Sequence, residues 1–201
     1  MSFTFSRRHL IATAGAVLAS VTLPKSALAL SETKAKSMVD QLVGQINRVI
    51  DSGKSESAMY RDFEGIFRSY ADTSYIAAYA LGVDGRRATS SQKRAFTEAF
   101  TGYIARKYGK RFREFIGGRL EVEDVRQIKN FLEVRTTAYL RGESPFEVAF
   151  HVSDRTGKEL FFNIYIEGVN MLLTERTEIG SLLDKRKGNI DQLISDLKTI
   201  G

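Results

Sequence analysis

Side chains able to do chemistry are scarce in this sequence. Its 201 residues include two histidines and no cysteine. Without cysteine there can be no disulfide, no thiol nucleophile and no cysteine-held metal. His9 falls in an N-terminal stretch that reads as a sorting signal, which leaves His151 as the one imidazole of the body. It lies in the run Phe146-Glu147-Val148-Ala149-Phe150-His151-Val152-Ser153. Alternation sets it with Glu147, Ala149 and Ser153, opposite the apolar side chains. A lone strand histidine reads as a surface residue rather than a base. No histidine cluster offers a metal site, and no Ser-His-Asp order has a plausible local context. Gly117-Gly118 lacks the flanking glycines and lysine of a phosphate loop and reads as a helix stop. Asn163 and Glu167 share the polar side of the next strand, as a polar pair at a site mouth or as a solvated strand face. No catalytic residue, metal ligand or cofactor follows from these residues.

The elements around these groups are easier to read. Residues 146–173 alternate about a turn at Asp154-Arg155-Thr156-Gly157. Phe146, Val148, Phe150 and Val152 share one face, and Leu160, Phe162, Ile164 and Ile166 do the same, the pattern of a half-buried antiparallel hairpin. Two further strands precede it over residues 120–128 and 131–140, the second with Leu132, Val134, Thr136, Ala138 and Leu140 on one side. Helices are predicted over residues 31–51, 57–71 and 73–81, the last capped by Asp72 and stopped by Gly82. A polar loop over 82–88 leads to a capping box, Thr89-Ser90-Ser91-Gln92, which opens a long helix reaching about residue 115. Glu167-Gly168 reads as a bulge in the last strand. Helices over 178–187 and from an Asn189 cap close the chain. The fold class is α+β in one domain, with helices packed on a four-stranded antiparallel sheet.

Apolar residues exceed what a plain two-layer packing obviously needs. Aromatic and aliphatic side chains line the sheet face and at least two helices that could oppose it. Each alone suits a core, and together they also suit a deep apolar pocket with few polar groups. The long helix carries Arg106, Lys107, Lys110 and Arg111, which could dock on anionic headgroups or an acidic partner, or form a solvated outer face. The formal charge is +6, and removing Arg7, Arg8 and Lys25 of the first 29 residues, which hold no acid, leaves +3. A body so mildly basic, without a recognition motif, does not point to nucleic acid.

Residues 1–29 read as a cleaved export signal. A basic pair precedes an apolar run, then Pro24 and Ala27-Leu28-Ala29, an A-x-A cleavage pattern. Ser6-Arg7-Arg8-His9-Leu10-Ile11 is similar to a twin-arginine motif, with Leu10 where phenylalanine is commonest. An ordinary Sec signal is the alternative. The mature domain is then residues 30–201, outside the cytoplasm.

Residues 72–112 resemble a segment of the MlaC family, the toluene-tolerance proteins. The matching positions are Ile76, Ala77, Leu81, Gly82, Thr89, Gln92, Phe96, Phe100, Tyr103 and Tyr108. Ile164-Tyr165-Ile166-Glu167-Gly168-Val169 is similar to the family's Val-x-Val-Glu-Gly-Ile run, and the stretch from Asn189 to its terminal helix. Phe162 and Asn163 stand where the family often has Tyr-Asp, and Thr174-Glu175-Arg176 keeps only the arginine of its Asn-Tyr-Arg. The resemblance implies an NTF2-like cone with acyl chains between sheet and helices. It implies a periplasmic phospholipid carrier, not an enzyme, working between an outer-membrane lipoprotein complex and an inner-membrane ABC transporter complex. Phospholipid would be cargo, with no cofactor.

On that reading the pocket residues are Phe146, Val148, Phe150, Phe162, Ile164 and Ile166 of the hairpin, with Leu132 and Val134 from the preceding strand. Ile76, Tyr79, Phe96, Phe100, Tyr103 and Ile104 are the helical candidates. Two other readings stay open: a small NTF2-like enzyme, and an interaction protein that uses its basic helix.

Overall fold

The structure is a computed structural model that describes residues 31–112 and 118–201, without the side chains of 111 and 112. The export signal over 1–29, the cleavage site, Gly117 and the side chain of Arg111 lie outside the described residues.

Every described α-helix but α2 begins where a short polar side chain accepts from a free backbone N–H. Ser31 accepts from Lys34 N at 3.4 Å and opens α1, Glu32–Ile50, whose apolar stripe buries Val39, Leu42, Val43 and Ile46. Next comes α2, Glu56–Tyr70, which buries Met59, Phe63 and Ile66. Asp72 accepts from Tyr75 N at 3.0 Å and opens α3, Thr73–Leu81. The stretch read as a polar loop is in part a 3-10 turn, Gly82–Arg86. The capping box is present with both of its bonds. Gln92 N donates to Thr89 Oγ1 at 3.1 Å and Thr89 N to Gln92 Oε1 at 3.0 Å, opening α4, Ser90–Phe112.

Five strands follow: β1 Arg119–Ile128, β2 Phe131–Tyr139, β3 Phe146–Ser153, β4 Leu160–Ile166 and β5 Val169–Asn170. They form an antiparallel meander in chain order, so the sheet has five strands rather than four. The extra strand arises at Glu167-Gly168. Both residues have positive φ, 50° and 78°, and Ile166 pairs with Val169 across them. That is a two-residue hairpin turn, whose twist suits antiparallel strands, where alternation alone suggests a bulge. The last part of the chain also differs from expectation. Asn170 accepts from Leu173 N at 3.0 Å and opens α5, Met171–Lys185, seven residues before the predicted start. Then α6, Ile190–Leu197, starts from Asn189, as read.

The helices share one side of the sheet: α1 lies over β1, β2 and β3, while α3 and α5 lie over β4. Behind them α4 packs on α2, α3 and α6. Leu132, Val134, Thr136 and Ala138 of β2 are fully buried on this inner face, and Thr136 Oγ1 donates to Val148 O at 2.7 Å. Among the described residues no helix is long and apolar enough to cross a membrane.

Candidate functional site

The inner face is not filled everywhere. Between the sheet and the helices lies a cavity of about 300 Å³, at the lower end of the range for ligand pockets. Its walls are contributed element by element. From the sheet come Val148 and Phe150 of β3, Ile164 and Ile166 of β4, and Leu120 of β1. From the helices come Leu42 and Ile46 of α1, Phe63, Ile66 and Phe67 of α2, Ile76 of α3, Ile104 and Tyr108 of α4, and Met171 and Leu172 of α5. The polar residues that line it are Glu143, Asn163, Glu167 and Glu175.

The hairpin supplies its share of the lining because Val148 pairs with Ile166 and Phe150 with Ile164, which keeps all four on one face. A bulge then interrupts the pairing between His151 and Val152: His151 faces Asn163 and Val152 faces Phe161. Phe162 is the extra residue. An extra residue inverts the alternation beyond it, so Phe161, not Phe162, takes the inner position. Phe161 packs against Phe150 and Phe67, with ring centroids 5.7 and 5.9 Å away. Phe162 still borders the cavity, but its ring meets Tyr75 and Phe131 edge-on at 5.5 and 5.4 Å.

Ile76, Ile104, Phe146, Val148, Phe150, Phe162, Ile164 and Ile166 are thus brought together around the cavity. The other sequence-derived candidates do not line it. Phe96, Phe100 and Tyr103 run along α4 as a chain of rings, 5.5 and 6.0 Å apart, with at most 2 % of each exposed. Leu132 and Val134 are solid core beneath α1. Tyr79 stands beside Tyr75 with the Arg176 guanidinium over its ring. Residues of α1 and α2 were missed: their periodicity marks an apolar stripe without saying which part of it faces a void.

Three basic residues of α4, Arg106, Lys107 and Lys110, are engaged within the molecule. Arg106 donates to the carbonyls of Leu197 and Ile200, at the end of α6, and Lys110 to Gly201 O at 2.6 Å. Lys107 bridges Glu175 at 2.7 Å and Glu178. Tyr103 Oη donates to Glu178 at 2.6 Å, and burial together with that contact pushes the phenol well above its ordinary range. Burial alone would raise Glu178, but Lys107 and Tyr103 outweigh it and hold the carboxyl below its usual value.

Asn163 and His151 are not on a solvated face. Asn163 is buried, accepts from Leu172 N at 3.0 Å and donates to Asn170 Oδ1 at 3.1 Å, joining β4 to the start of α5. His151 is 9 % exposed, between the rings of Phe131 at 4.5 Å and Tyr165 at 4.8 Å, with Glu133 at 3.2 Å from its Nε2. Neither arrangement holds a reactive group beside the cavity. Among the described residues no group of histidine and acidic side chains could hold a metal ion.

Fold and site together define an α+β protein whose sheet and helices enclose an apolar chamber. The model of the MlaC family (MlaC protein) matches residues 36–199, and the chain belongs to that family. Among solved structures it is similar to the phospholipid-binding protein from Ralstonia solanacearum, determined in complex with a phospholipid. Sequence identity is 18%, over 82% of this chain and 98% of that one, with a TM-score of 0.69.

Proposed function

We propose that this protein is a non-enzymatic phospholipid carrier of the periplasm, holding acyl chains in the chamber between sheet and helices. The observation that carries the reading is the chamber itself: an unfilled space of about 300 Å³ inside a small domain, walled by side chains of the sheet and of five helices, almost all of them apolar. Interiors ordinarily close on such space, because each missing contact is lost dispersion energy. Membership of the MlaC family and the phospholipid-bound neighbour support the choice of cargo.

The physics fits transport without catalysis. Each buried methylene is worth roughly 0.8 kcal/mol, so about 30 methylenes of a two-chain lipid would lose on the order of 20 kcal/mol in water. A dry chamber removes that barrier while the headgroup stays in solvent. In this reading the protein receives and delivers lipid at an outer-membrane lipoprotein complex and an inner-membrane transporter complex. Lys110 is exposed, and docking on an acidic partner or anionic headgroups would compete with its bond to Gly201 O.

Protein purified from a bacterial host should carry phospholipid, detected by organic extraction and mass spectrometry. A folded, monodisperse preparation that is repeatedly lipid-free, and that takes none from vesicles, overturns the reading.

A further inference from the structure

At about 300 Å³ the chamber is small for its proposed cargo. That is the lower end for a drug-sized ligand, and the two acyl chains of a phospholipid are larger, so a wall must move for them to enter. Most of the walls are held by packed faces. The first helix lies against the sheet and α2, α2 against α4, and α5 against α3 and β4. Both α4 and α5 line the chamber, but the join between them is different in kind. Neither helix packs closely along the other, and long polar side chains span the gap.

Lys107 of α4 is the hub of that join. Its ammonium donates to Glu175 Oε1 at 2.7 Å and to Glu178 Oε2, both of α5. It also lies over the rings of Tyr103 and Tyr108, 5.4 and 5.6 Å from their centroids. Tyr108 Oη donates to Glu175 at 2.5 Å and Tyr103 Oη to Glu178 at 2.6 Å. The cluster runs through the wall. Tyr108 and Glu175 line the chamber, while 26 % of the Lys107 side chain and 41 % of the Glu178 side chain are exposed to solvent. One layer of polar side chains therefore separates the chamber from water along this seam. Parting packed apolar faces costs about 25 cal/mol for each Å² exposed. Parting an ion cluster lets each charge regain its hydration, so the net cost is small.

We infer that this cluster is a latch, and that acyl chains enter and leave the chamber sideways, between α4 and α5, when it opens. The inference rests on the carrier reading and gives its cargo a route. Lys107 is the positioning residue: it draws Glu175 and Glu178 to α4 and closes the seam behind the chains. A sideways route also lets the headgroup stay in solvent throughout.

The test measures uptake and release with phosphatidylethanolamine and phosphatidylglycerol vesicles that carry a fluorescent acyl chain. The natural chain has no cysteine. Lys107→Cys with Glu178→Cys therefore places one thiol on each side of the seam, and a reducible bifunctional thiol reagent ties them. The tied protein should neither load nor unload lipid, and reduction should restore both. Glu178→Gln, at the solvent end of the latch, should speed uptake and release together by about threefold, the scale of one partly exposed ion pair. The amount bound at equilibrium should not change, whereas loss of a merely structural contact would lower stability and leave both rates alone. Tied protein that exchanges as fast as its reduced form, or unchanged rates in Glu178→Gln, overturns the inference, each variant deciding alone if the other does not fold. Lipid still binds in those outcomes, so the carrier reading stands. Wild-type protein that takes up no lipid overturns the carrier reading itself.

Discussion

His151 has the chemistry of a base and the surroundings of a structural side chain. Burial between Phe131 and Tyr165 disfavours the imidazolium and lowers its pKa from the ordinary value, against a smaller opposing pull from Glu133. The unfolded chain titrates near the usual value, so between the two pKa values it binds the proton and the native state does not. Stability that is present above about pH 6.5 is then lost as pH falls through that window. The melting temperature of the protein should drop between about pH 7.5 and 5.5, and drop less in His151→Phe, which keeps a ring in the stack. Asp124, held down mainly by its hydrogen bond from Arg135, and Asp196, held down mainly by Arg186, stay ionised over this range and do not mask the effect. Equal slopes for the two proteins would show that the imidazole is already solvated.

Pairs of elements set the chamber's dimensions, among them α2 packed against α4. Gly109 lies at that crossing. A Cβ there would stand 2.7 Å from Tyr60 Cδ1 and 3.0 Å from its Cε1. Alanine is the better helix former by roughly 1 kcal/mol, but forcing a methyl into a packed contact typically costs about 1–3 kcal/mol. The contact is an aromatic ring rather than a flexible chain end, so the cost should win. Gly109→Ala is expected to lower stability by about 1 kcal/mol or more in urea denaturation. A gain would mean that the Tyr60 ring swings aside freely.

For the molecule as a whole, the question is whether the chamber is space for a ligand or an imperfectly packed core. Val148 and Ile164 line it from adjacent strands. In a filled core, Ile164→Trp overpacks at a cost of about 1–3 kcal/mol. In a lipid chamber the ring enters space that acyl chains occupy. The delipidated variant should then melt near the delipidated wild type and carry less lipid. Both proteins must be compared without lipid, since bound cargo raises apparent stability by mass action. Clear destabilisation with unchanged lipid per folded molecule would place the cargo elsewhere.

The sequence by itself determined the local elements and the α+β class, because capping and alternation are written in neighbouring residues. Asp72, the Thr89–Gln92 box and Asn189 mark helix starts, and Val148, Phe150, Ile164 and Ile166 mark one strand face. Only the tertiary structure decided what depends on partners distant in the chain. The bulge that exchanges Phe161 for Phe162 is a property of two strands in register, not of either alone. Phe96 and Phe100 carry the same apolar signal as Phe63 and Ile66, yet the first two close the core and the last two border a void. Periodicity reports that a side chain is buried and is silent on whether protein or empty space faces it. Glu175 has the least local signal of all. A glutamate on a helix reads as solvated, and only the approach of α4 to α5 buries it beside Lys107 and Tyr108 at the chamber wall.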